Sequence, residues 1–188
     1  MKKSLLLSLL FCAVMAFGAE IAHKEFPTPE SINSFPIWGP NKQGTTREYS
    51  TQMVPPGSNL KGSLKFVCVS GQRHPAESTP VFPIKNTLTK GTTYVMTLQV
   101  MSPQNLDFQV TVMRDAAPWT NFAKQRIKTL PGQWQTVKVE FTMPEDVKGV
   151  RVPTFFLGNL KPNDTIYVAS MKLESEEPEE ENPVPVAP

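Results

Sequence analysis

The chain is poor in the residues that cross-link, ligate metals or carry acid–base chemistry. It has two cysteines and two histidines in 188 residues. Cys12 lies in an apolar stretch at the N-terminus, so without that stretch Cys68 stands alone and no intramolecular disulfide can form. Cys68 sits in Leu64-Lys65-Phe66-Val67-Cys68-Val69, the setting of a buried and inert thiol. Stability must then come from core burial, which a mature chain of about 170 residues supplies without staples. His23 and His74 have no partner at metal-site spacing. No nucleophile elbow, phosphate loop or HExxH pattern occurs. Asp107, Asp115, Glu140, Asp146 and Asp164 are present, but their spacing singles out no pair of the kind that cleaves a glycosidic bond. A polysaccharide lyase would want Tyr, His and Arg or Lys on one face, and Tyr94 falls on an apolar stripe. No segment repeats with helical period over a useful length, and no apolar run reaches the roughly 18 residues of a membrane span.

What is present divides the chain unevenly. Residues 1–19 read as a cleavable signal peptide: Lys2 and Lys3, then an apolar run from Leu5 to Phe17, then small residues. Cleavage after Ala16, Gly18 or Ala19 fits the pattern. Cys12 follows Leu9-Leu10-Phe11, which does not suit a lipid-modified cysteine. The product is thus expected outside the cytoplasm, as a periplasmic, cell-surface or extracellular bacterial protein with no membrane span after cleavage. Residues 20–173 carry 17 Lys/Arg against 11 Asp/Glu, a net of +6, whereas residues 174–188 carry six Glu and no base. The cations are scattered and the protein is exported, so a nucleic-acid partner is not expected. Residues 174–188 are otherwise Ser, Pro, Asn, Val and Ala and read as a disordered acidic tail.

Between leader and tail, residues 20–44 read as an extended segment or first strand, and residues 45–173 as one all-β domain. Leu64–Ser70, Thr92–Met101, Leu106–Arg114, Ala123–Leu130, Trp134–Thr142, Val150–Leu157 and Thr165–Leu173 are strand candidates with period-two alternation between turn signals. Thr92–Met101 and Leu106–Arg114 look like a hairpin joined at Ser102-Pro103-Gln104-Asn105. Trp134 is out of phase with Val137, Val139 and Phe141, which suggests a bulge near Gln135-Thr136. A second phase change predicts a bulge at Ala169-Ser170. Many short strands without helices indicate a sandwich or barrel.

Four motifs occur in a familiar order. Thr89-Lys90-Gly91-Thr92-Thr93-Tyr94 leads into a strand. Pro131-Gly132-Gln133-Trp134-Gln135 precedes Val137, Val139, Phe141 and Thr142. Phe156-Leu157-Gly158 precedes Thr165-Ile166-Tyr167-Val168 and Met171-Lys172-Leu173. Lys61-Gly62-Ser63-Leu64-Lys65-Phe66 matches more loosely. In this the chain resembles carbohydrate-binding modules of the family 4 and 9 group, over roughly residues 45–173 and with Asn33–Trp38 as a candidate opening strand. The resemblance implies a jelly-roll β-sandwich of two antiparallel sheets, of the galactose-binding type. It implies non-catalytic binding of a polysaccharide or oligosaccharide on a concave sheet face or at its loop edge, in association with a glycoside hydrolase. Family members often hold a structural calcium. Here Ala169-Ser170 stands where an Asp pair is usual, and Asn33-Ser34-Phe35 lacks an acidic residue, which argues against that ion; no other cofactor is expected. A structural or adhesion sandwich without sugar binding, or a small hydrolase or lyase, are the alternatives.

Sugars are held by aromatic faces and fixed polar groups. Trp119, in a loop beside Pro118, is hard to bury and is a candidate contact, with Asn121 and Phe122 beside it. Trp38 either caps the sandwich or lines the cleft, with capping favoured. Trp134 reads as core. Gln99 and Gln109, opposite the apolar stripes, offer amides for hydroxyls. Arg114 offers a cation to a hydroxyl or uronate, or pairs with Asp115 at the surface.

Overall fold

The structure is a computed structural model that describes residues 18–71, 74 and 76–176. The leader reading, apart from residues 18 and 19, and the acidic tail beyond residue 176 fall outside the described residues. Among the described residues eleven strands run as β1 (Glu20–Glu25), β2 (Ile37–Trp38), β3 (Thr45–Ser50), β4 (Ser63–Cys68), β5 (Thr79–Leu88), β6 (Thr93–Met101), β7 (Asp107–Arg114), β8 (Asn121–Lys128), β9 (Gln135–Thr142), β10 (Val147–Phe156) and β11 (Thr165–Ser175). They form two antiparallel sheets, as expected of a jelly-roll sandwich. One has the order β3-β4-β11-β6-β9, with β1 also on β11; the other has the order β2-β5-β10-β7-β8. Among the described residues no helix is long and apolar enough to cross a membrane.

Alternation decides which side chains meet between the sheets. β6 buries Tyr94, Met96, Leu98 and Val100, and β7 buries Phe108, Val110 and Val112 against them. The two strands are nevertheless not a hairpin. β6 pairs with β11 and β9, whereas β7 pairs with β10 and β8, so residues 102–106 cross from one sheet to the other. Thr129 Oγ1 closes this crossover, donating to Gln104 O and accepting from Leu106 N. The β6–β9 ladder runs unbroken from Thr93–Thr142 to Val100–Gln135, so no bulge occurs at Gln135-Thr136. Trp134 lies just before β9 and is half-buried outside the core, a correction to its reading as a core residue. The predicted shift at Ala169-Ser170 is present, between Val168 and Ser170. β11 continues to Ser175, two residues into the stretch read as tail.

Phenylalanines fill the centre. Phe155 packs with its ring centroid 5.3 Å from Phe66, 6.3 Å from Phe108 and 6.5 Å from Phe35. Phe26 and Phe35 bind the N-terminal segment to the same cluster. Each such buried side chain stabilises the fold by about 2–3 kcal/mol through removal of apolar surface from water.

β5 was not anticipated, because Pro80 and Pro83 interrupt its pattern. β2 pairs only with Thr79 and Pro80, which leaves most of β5 as an edge where proline is tolerated.

Cys68 is buried, with its sulfur 3.2 Å from Ser70 O and 3.8 Å from Leu160 O. Burial raises its pKa, and nearby Asp164 adds to the effect. Maleimide labelling at neutral pH, read by peptide mass, is expected to modify Cys68 at least about a hundredfold faster in denaturant than in the native protein. Equal rates would contradict the buried placement.

Candidate functional site on the outer face of the five-stranded sheet

Cross-strand register fixes which side chains share the outer face, since directly paired residues point the same way. On one row Pro83, Arg151, Met113 and Asn121 lie side by side across β5, β10, β7 and β8. On the next row lie Val81, Thr154, Thr111 and Lys124, and beyond them Phe156, Gln109 and Arg126. A register shift between Arg151 and Thr154, in both ladders of β10, brings these two residues to one face although three positions separate them. The same shift turns Phe155 into the core.

At one end of this face two tryptophans enclose an arginine. The guanidinium carbon of Arg151 lies 4.1 Å from the ring centroid of Trp38 and 4.7 Å from that of Trp119. Arg151 is buried, and its Nε donates to Asp115 Oδ1 at 2.5 Å. Trp38 and Trp119 remain 44% and 53% exposed, so each presents ring surface to solvent. A desolvated cation between two aromatic faces gains about 2 kcal/mol or more. Arg151 therefore holds the two rings, and its Nη2 is buried without a hydrogen-bond partner among the described residues. Trp38 is brought here by β2, and the turn after it depends on Gly39. Gly39 has φ +113, and a Cβ there would stand 2.2 Å from Glu77 O. Trp119 is carried by the turn between β7 and β8, where Arg114 N donates to Thr120 O and Thr120 N to Pro118 O.

Thr111 and Thr154 form the floor beyond this clamp. Both are fully buried, and their hydroxyls find no hydrogen-bond partner among the described residues. At the far end a cavity of about 420 Å³ is lined by His74, Ala76, Gln109, Arg126, Phe156 and Asn159, among others. Arg126 stands at its edge in a two-pronged pair with Asp107, Nε to Oδ1 at 2.5 Å and Nη2 to Oδ2 at 2.7 Å. This bond holds the Asp107 carboxyl below its usual range. The carboxylate form is the favoured one, so the pair is lost at a lower pH than that at which an unpaired aspartate protonates.

The residues singled out in the sequence are thus distributed. Trp38 and Trp119 come together, and Asn121 shares the row of Arg151. Gln109 lies on the same face, toward the cavity. Gln99 is on the other sheet, where its Oε1 accepts from Ser170 Oγ. Arg114 and Phe122 turn toward the sandwich interior: Arg114 is in register with the core residue Val150, and Phe122 packs against the core. Their side chains touch, with the guanidinium 6.0 Å from the ring. Arg114 pairs with Glu145, not Asp115, whose carboxylate is taken by Arg151. Trp38 does not cap the sandwich. Arg151 went unnoticed in the sequence, though a single Arg in the apolar run Val150-Arg151-Val152 was a usable signal. Among the described residues no three His, Cys, Asp or Glu side chains group as a metal site.

A family model described as carbohydrate binding domain matches residues 38–165, from Trp38 to the start of β11. The chain belongs to this family of carbohydrate-binding modules. No curated protein matches the sequence. Among solved structures, a CBM4 module is similar with TM-score 0.57 and 21% identity, over 74% of this chain and 84% of that one. The CBM22-1 xylan-binding domain from Paenibacillus barcinonensis is similar with TM-score 0.62 and 10% identity, over 86% and 97% of the two chains. CBM22-1 and GH10 modules of a Clostridium thermocellum endo-1,4-beta-D-xylanase, in complex with xylohexaose, give TM-score 0.53 and 10% identity, over 86% of this chain and 29% of that chain. At these identities the likeness is one of fold. The module thus shares a sandwich with proteins of distant sequence, and its own site must be read from its own residues.

Proposed function

We propose that this protein is an exported, non-catalytic module that holds polysaccharide on the outer face of its five-stranded sheet and serves a glycoside hydrolase system. The observation that carries this reading is the pair of exposed tryptophans fixed on Arg151, on the same sheet face as a cavity lined by Gln109 and Phe156. Trp38 and Trp119 stack on the C–H faces of sugar rings, and Gln109 and Asn121 bond hydroxyls. The leader sequence and the family support export. The xylanase structure in which such a module is joined to a hydrolase supports the association. A purely structural sandwich would bury Trp119, and its exposure favours the binding reading. The carboxylates give no support to glycoside cleavage: Asp107 and Asp115 are both held by arginines, and Asp146 and Asp164 accept from backbone N–H groups.

Affinity electrophoresis through gels carrying β-glucan, xylan, mannan or polyuronate tests the reading. Retention on at least one is expected, with a Kd in the roughly millimolar to micromolar range of shallow sites. Unretarded migration through all of them would overturn it.

A further inference from the structure

We infer that the glycan this face takes is acidic, bearing carboxylate or sulfate groups along its chain. The inference rests on the reading of the face as a glycan site and adds the charge of its ligand. β8 leads directly away from Trp119 and puts Lys124, Arg126 and Lys128 on the outer face, at alternate positions. Alternate strand residues stand about 6.7 Å apart, so the three cations form a straight ridge along the border of the site. All three residues are exposed. Asp107 faces this row and is paired with Arg126, and Lys128 also acts on it. Lys124 and Lys128 have no ion pair among the described residues. Of the other carboxylates near the site, Asp115 is bound to the buried Arg151 and Glu77 lies against His74.

The opposite sheet shows that this arrangement is not a requirement of the fold. β9 is also a terminal strand, and its exposed positions Thr136, Lys138, Glu140 and Thr142 balance one cation with one anion. Elsewhere on that sheet Lys65 pairs with Glu48, and Lys172 pairs with Glu174 and Glu20. A charged edge discourages strand-to-strand aggregation whatever its sign. A row of one sign beside two exposed rings does more. It raises the local concentration of polyanions and opposes cationic ones. The rings supply contact with the sugar, and the ridge selects among sugars by charge.

Binding of the full chain to polygalacturonate, a sulfated galactan, neutral galactan and neutral xylan tests this by calorimetry. Measurements at about 0.02 M and about 0.5 M salt compare Debye lengths of about 20 Å and about 4 Å. At low salt an acidic polymer is expected to bind at least about tenfold tighter than the neutral ones, and to lose that advantage at high salt. Preference for polygalacturonate assigns the carboxylate, and preference for the sulfated galactan assigns the sulfate. The double variant Lys124→Glu/Lys128→Glu lies on an exposed strand and is expected to keep its melting temperature. Its affinity for the acidic polymer is expected to fall about thirtyfold, from several exposed charge contacts of modest size. A neutral polymer bound as tightly as the acidic ones at low salt overturns the inference and leaves the glycan site standing. So does an acidic polymer whose binding ignores both salt and the double variant. Failure to bind any polymer overturns both.

Discussion

The double variant Trp38→Ala/Trp119→Ala is expected to lose retention on every polysaccharide that the native protein retains. Each ring is a large, half-exposed aromatic already fixed in place by Arg151, so little conformational freedom remains to be lost when a sugar stacks on it. Truncating an aromatic of this kind costs about 2 kcal/mol of binding, or about thirtyfold in affinity, and a shallow site has no reserve to absorb two such losses. The fold is expected to survive, because neither ring belongs to the core cluster and the uncovered guanidinium keeps Asp115 while gaining water. Circular dichroism of the variant should match the native protein. Trp134 stays in place as a fluorophore away from the clamp, and addition of glycan should no longer shift the emission. A double variant that retains native affinity would place the site elsewhere.

The replacement Phe155→Ala acts on the other side of the same strand and should affect stability. Phe155 is fully buried and touches Phe66 of the six-stranded sheet, Phe108 of its own sheet and Phe35 of the N-terminal segment. Removal leaves a cavity at the point where three parts of the chain meet, where relaxation is limited. The expected loss is about 4 kcal/mol, which for a domain of this size lowers the melting temperature by about 8–16 °C. The exposed Val69→Ala serves as the reference and should shift it by less than about 2 °C. A shift for Phe155→Ala as small as that of the reference would mean that the cluster does not bear on stability as argued.

The strand after the turn at residues 89–92 and the strands on either side of the turn at 131–133 were legible because alternation has the same period wherever a sheet has one dry face. That period left a sandwich or a barrel open; the β-sandwich and its class of ligand followed from the family resemblance that the order of the motifs carries. Strand partners were not legible. Residues 93–101 and 107–114 look like a hairpin, since adjacency in sequence favours pairing, but crossing between sheets costs no more than turning back when both strands bury the same kind of stripe. β5 was hidden by Pro80 and Pro83, whose placement at an edge depends on the shortness of β2. The candidate site was legible only in its tryptophans. Nothing near Trp38 or Trp119 in sequence indicates that Arg151 stands between them.

The alternation of apolar and polar residues, the shortage of cysteine and the unequal charge of body and tail were settled by the order of amino acids, because each depends on residues close together or on counting. Which side chains share a surface was decided only by folding. A single extra residue in β10, between Arg151 and Thr154, reverses the facing of everything after it, and no local preference records such a shift. The clamp of two rings on one cation, and the cationic ridge beside it, exist because the packed sheet places β2, β10, β7 and β8 in that order.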